Sequence, residues 1–163
     1  PSFSPITAIN IAGAAMTRGI TILGIWRIPQ NAPAGVPQNL IQVDDGTANN
    51  RFILRNVAGG NSIAINRVTA GVAAGDSAIG TMTAGTVVRA GISIDTAGRI
   101  SGSLTGGAAV AVTGGPTSGL TLLRLGADSA PAAGMFGEIA YLQVIPRAMS
   151  DAELSSQVGA LPS

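Results

Sequence analysis

The chain has 163 residues, a net charge of +1 and only 10% charged residues, against a usual share of about 25%. That length fits one domain burying about two thirds of its unfolded surface. The lack of Cys and His removes disulfides, thiolate metal sites and triad chemistry, and the nine scattered Arg form no basic stripe for nucleic acid.

Residues 1–17 are expected to be a flexible end. They lack the charged start and apolar core of a signal peptide, and a start at Pro1 fits removal of an initiator Met from a complete, cytosolically made chain. Ile20–Ile28 is the first strong strand, apolar on both faces and closed by Pro29. Gln30–Pro37, with Pro33, Gly35 and Pro37, reads as a loop. Asn39–Val43 is a short strand, and Asp44-Asp-Gly-Thr47 a turn in which Gly46 can take positive φ. Arg51–Arg55 and Ser62–Val68 alternate and are joined by a hairpin over Ala58–Asn61. Ala78–Thr83 is a weaker strand, Thr86–Ile94 a strong one, and Asp95–Gly98 a turn. Arg99–Leu104, Ala109–Val112 and Leu120–Leu125 follow, separated by Gly-rich breaks. No apolar run reaches the roughly 20 residues that a membrane helix needs.

The last quarter is the most sharply specified. From Phe136 to Ile145, strict alternation puts Phe136, Glu138, Ala140, Leu142 and Val144 on one face and Gly137, Ile139, Tyr141, Gln143 and Ile145 on the other. Both faces are mostly apolar, so the pattern predicts a central strand covered on two sides. Pro146 ends it, and Ser150 with Glu153 three residues on gives the capping-box spacing of a short helix. The expectation is a single all-β domain over 1–163: a two-sheet antiparallel β-sandwich with a core of about 20–158, one short C-terminal helix, and flexible ends at 1–17 and 159–163.

In order and spacing these elements resemble the concanavalin A-like lectin/glucanase (laminin G-like) jelly roll, in the version common in tailed-phage structural proteins. The resemblance rests on Ile25-Trp-Arg-Ile-Pro29, Val43-Asp-Asp-Gly-Thr-Ala-Asn-Asn-Arg51 and Ala84–Ser93. It continues through Leu120-Thr-Leu-Leu-Arg-Leu-Gly126, Gly137-Glu-Ile-Ala-Tyr141 and Pro146–Leu154, and so spans about Thr21 to Leu154. It implies two curved sheets packed face to face, and it covers glycosidases, lectins and structural modules alike.

The residues sort these three classes. Retaining glycosidases need two carboxyls about 5 Å apart, and Glu138 has only Ala140 and Leu142 as same-face neighbours, so no enzyme is expected. Sugar sites combine an aromatic platform with convergent polar groups. Trp26, Phe52, Phe136 and Tyr141 all sit in apolar strands and are expected to fill the core, leaving Phe3 as the free aromatic. Asp44, Asp45, Asn49 and Asn50 form an oxygen-rich loop suited to calcium, although the same residues make an ordinary turn, which is the favoured reading. No cofactor is expected. The arginines can pair with groups of a neighbouring protein or internally with Asp44, Asp45, Asp95 or Glu138, and the internal pairing is the favoured reading.

A surface with so few charges resists association poorly, which points to a homo-oligomer or a larger assembly, although a codon bias toward Ala, Gly and Arg, with nine Arg and no Lys, accounts equally for the composition. The expectation drawn from the resemblance is a bacteriophage virion protein made in the host cytoplasm. Its expected role is a capsid decoration or cement protein binding the major capsid protein or other virion proteins, without nucleic acid or membrane partners. The alternative is a carbohydrate-binding adhesion module of a tail or head fibre that recognises a surface glycan. That alternative predicts a solvent-facing groove with an aromatic and convergent polar groups.

Overall fold

In the computed structural model, residues 6–10, 18–128 and 134–162 are described; Phe3 and the rest of the chain lie outside them. Twelve strands and a C-terminal helix form among these residues: β1 (Ile6–Asn10), β2 (Ile20–Arg27), β3 (Gln38–Asp44), β4 (Arg51–Asn56), β5 (Ser62–Thr69) and β6 (Val72–Ala73). They continue with β7 (Ser77–Thr81), β8 (Val87–Ile94), β9 (Ile100–Leu104), β10 (Val110–Val112), β11 (Leu122–Leu125), β12 (Glu138–Ile145) and α1 (Asp151–Gly159).

The first sheet runs β1-β11-β3-β4-β5-β6, with β7 also pairing to β5, and the second runs β10-β9-β8-β2-β12. Every pairing is antiparallel. The architecture is thus the expected all-β two-sheet jelly roll with one short C-terminal helix. The alternation read from the sequence accounts for it. Phe52, Leu54, Val43, Leu123 and Leu125 of the first sheet meet Ile22, Trp26, Val88, Ala90, Ile92 and Ile94 of the second in one dry core. Trp26 folds back over Gly24, where any side chain would overlap the indole. Burying such aliphatic and aromatic side chains stabilises by about 1.5–3 kcal/mol each.

Three expectations need correction. Ile6–Asn10, expected within a flexible end, is a strand paired to β11. At the other end Leu161 is buried with Leu154 and Val158 against the second sheet. And β12 is an edge strand, not a central one: among the described residues it pairs with β2 alone. Strict alternation also fails there, because a bulge between Ile139 and Tyr141 shifts the register. Ile139 and Leu142 therefore both pack on the core, while Tyr141 and Val144 stay 36% and 41% exposed.

The helix lies on the outer face of the second sheet, where Leu154, Val158 and Met149 cover Leu23 and Ile25. Its cap is the one predicted, with the Ser150 side chain accepting from the Glu153 backbone N–H. The turn before it is fastened twice. Ser93 Oγ exchanges hydrogen bonds with the Met149 backbone, and Thr21 Oγ1 donates to the Arg147 carbonyl at 2.8 Å.

Candidate functional site

Two polar surfaces stand out, one on the outer face of each sheet. On the first sheet, the residues that alternate with the core positions are Gln42, Asp44, Arg51, Arg55 and Arg124. Asn39 Nδ2 donates to Gln42 Oε1, Gln42 Nε2 to Asp44 Oδ2 at 2.8 Å, and Arg124 Nε to the same oxygen at 2.6 Å. Arg55 grips Asp76 with both arms at 2.9 and 3.0 Å, and Arg51 pairs with Asp128 at 2.7 Å. Forked guanidinium–carboxylate contacts of this kind are strong and directional. These arginines do pair internally, but of the expected partners only Asp44 is used, by Arg124; Arg55 and Arg51 take Asp76 and Asp128 instead, and this face is electrostatically closed.

That closure also settles the geometry of the oxygen-rich loop. Asp44 is fully buried, and its two oxygens accept from the Gly46 N–H, Gln42 and Arg124. The Asp45 carboxylate accepts from the Thr47 hydroxyl, Asn50 and the Thr47 N–H, and the Thr47 and Asn50 bonds hold its pKa below the ordinary value. Asn50 Oδ1 in turn accepts from the Ala70 N–H, and the Asn49 carbonyl from the Gly71 N–H. These are turn bonds, and the Arg124 guanidinium occupies the place beside Asp44 that a cation would need. No group of three or more metal-ligating acidic side chains occurs among the described residues.

The second surface is different. Where β2 ends and β12 begins, a cleft of about 490 Å³ opens between Arg27, Pro29, Gln30, Gly85, Phe136, Gly137 and Glu138. Its size falls within the usual range for small-molecule sites. Register builds it. Glu138 is the direct cross-strand partner of Arg27, so both lie on the outer face, beyond the end of the sheet that the helix covers. The Gly85 N–H donates to the Ile28 carbonyl at 2.7 Å and holds the loop between β7 and β8 against the site. Gly137 forms the floor, where an added Cβ would collide with the Arg27 carbonyl oxygen.

The charged groups of this cleft are unengaged. Each of the other seven acids accepts a hydrogen bond or ion pair within the chain, whereas Glu138 has none among the described residues. Arg27 likewise makes no ion pair among the described residues, although five arginines do. Beside them Phe136 is 61% exposed. Of the four aromatics expected in the core, Trp26 and Phe52 are there, but Phe136 and Tyr141 face solvent. Phe136 precedes β12 rather than lying within it, and so escapes the alternation that would bury it. Glu138 stands out in the sequence for its lack of a second carboxyl. Its place opposite Arg27 is a product of register that no local spacing shows.

No family model and no curated protein matches this sequence. Solved structures do match. The carbohydrate-binding module of the Ruminococcus gnavus IT-sialidase, bound to α2,3-sialyllactose, superposes with a TM-score of 0.70 at 18% identity, over 98% of this chain and 95% of that one. The leech intramolecular trans-sialidase matches over 100% of this chain but 27% of its own, with a TM-score of 0.70 at 17% identity. The heptameric pentraxin of Limulus polyphemus matches at 0.62 and 12% identity, over 96% of this chain and 73% of that one. At such identities the likeness establishes the fold, and the fold is the lectin-like jelly roll.

Proposed function

We propose that this protein is a carbohydrate-binding module and that the Arg27–Phe136–Glu138 cleft is its sugar site. The observation that carries the reading is the exposed Phe136 ring beside an arginine and a carboxylate that form no ion pair among the described residues. A pyranose presents an apolar C–H face and a rim of hydroxyls, and needs a flat apolar surface flanked by hydrogen-bonding groups. Phe136 supplies the surface. Glu138 accepts from hydroxyls, Arg27 donates to hydroxyl oxygens, and Gln30 does both. The cleft fits the groove that the adhesion alternative predicts.

The fold adds support, since its neighbours include a module bound to α2,3-sialyllactose and the same module bound to α2,6-sialyllactose. Among the described residues that line the cleft Glu138 is the one carboxylate, and a retaining hydrolase needs two, which favours binding over hydrolysis. A phage capsid role, which the resemblance led us to expect, gains no support from the structure or the comparisons, and neither does oligomerisation.

Glycan-array screening followed by calorimetry tests the reading. The expected result is saturable binding of at least one glycan that falls about tenfold or more in Phe136→Ala. Binding that survives both Phe136→Ala and Arg27→Met would place any sugar elsewhere, and no binding across the array would end the proposal.

A further inference from the structure

If the cleft holds a sugar, its charges also bear on which class of sugar it takes. Arg27 and Glu138 are register partners across β2 and β12, both exposed and both lining the same cleft. One carries a full positive charge and the other a full negative charge, so the site has no net charge to offer. A ligand carboxylate brought towards the Arg27 guanidinium comes at the same time towards the Glu138 carboxylate. Attraction to the first and repulsion from the second scale alike with distance and are screened alike by the same water. An uncharged sugar meets no such conflict. Its neighbouring hydroxyls are donors and acceptors at once, and one can donate a hydrogen bond to Glu138 while the oxygen of the next accepts from Arg27. Both hydrogen bonds are then charge-assisted, and neither desolvated charge is left unpaired.

Resting on the glycan-binding reading, we infer that the cleft selects uncharged sugars with adjacent hydroxyls and discriminates against sugars bearing a carboxylate. Glu138 is the specificity-determining residue, since it alone opposes the acid. Arg27 serves either kind of ligand, and Phe136 is indifferent to charge. The chain would therefore differ in ligand class from the sialyllactose-bound module that shares its fold. The first sheet provides no rescue for an acidic sugar, because Arg51, Arg55 and Arg124 there are already committed to Asp128, Asp76 and Asp44.

The test compares matched ligands on the wild-type protein, with lactose against 3′-sialyllactose as one pair and neutral hexosides against the corresponding hexuronides as others. The neutral member of at least one pair should bind about tenfold more tightly, an affinity that stays flat as salt is raised. Glu138→Gln keeps the shape and a hydrogen-bonding head but removes the negative charge, and it should narrow or reverse that preference. Circular dichroism and thermal melting establish that the variant is folded, and Arg27→Met should weaken both members of a pair. If acidic sugars bind more tightly to the wild type, or if Glu138→Gln leaves the ratio unchanged, the inference is overturned while the module reading stands. If no sugar of either class binds, both fall together.

Discussion

The two outer faces of this sandwich use the same residue types in opposite ways. On the first sheet, Arg124, Arg55 and Arg51 each hold an Asp, and the pairs are partly covered, Asp44 completely. On the second, Arg27 and Glu138 sit opposite one another at the mouth of a cleft and form no ion pair among the described residues. A paired charge under cover is committed to the fold, and its loss is felt as instability. An unpaired charge in the open contributes little to folding and is available to a ligand. Counting arginines cannot tell these cases apart; the strand partner and the depth of burial can.

Arg124→Ala is the most damaging way to break that contrast. It strands the fully buried Asp44 carboxylate and should cost about 3 kcal/mol in urea unfolding, in line with other broken buried pairs. The double change Arg124→Leu with Asp44→Leu should recover much of the loss, because no orphan charge remains. Gly137→Ala tests the floor of the cleft. The added methyl meets backbone at Arg27 that cannot give way, so about 1–3 kcal/mol of stability should go together with ligand binding.

Phe136→Ala should separate the two faces most cleanly. Binding is expected to drop about tenfold, with stability changing by no more than about 0.5 kcal/mol, since the ring is exposed. The smallest effect concerns pH. Arg99 holds the Asp151 carboxyl below its ordinary value of 3.8, helped by Ser101. The native state therefore binds this proton more weakly than the unfolded chain does. The stabilisation is present at neutral pH and fades as pH falls below about 4 and through the lowered native value. Asp151 is almost half exposed, so water screens the pair and the contribution should stay under about 0.5 kcal/mol. Comparing the acid-side melting of the wild type with Asp151→Asn measures it.

Much of the scaffold was legible in the sequence. Alternation in Arg51–Arg55 and Ser62–Val68, Gly-rich turns and the Ser150 cap are local signals, and local structure follows them. The features that escaped are not local. Whether β12 is central or at an edge depends on whether another strand lies beyond it, which its own apolar residues cannot record. The bulge after Ile139 undoes the facing expected from a strict period of two. On the first sheet, Arg124 reaches an Asp 80 positions away and Arg55 one 21 away, partners fixed by strand order and register rather than spacing. The cleft is hidden in the sequence for the same reason, because Arg27 and Glu138 meet only once β12 lies against β2.

The edge position of β12 gives the cleft a mechanical property. Only the ladder to β2 ties Glu138 to Arg27, and edge ladders are among the first parts of a fold to open locally. A sugar that bonds both residues spans that ladder from outside and acts as a staple across its end. Occupancy should therefore register at amides that never touch the sugar: with ligand bound, hydrogen exchange along Ile139–Ile145 should slow, while the central β3–β4 ladder keeps its rate.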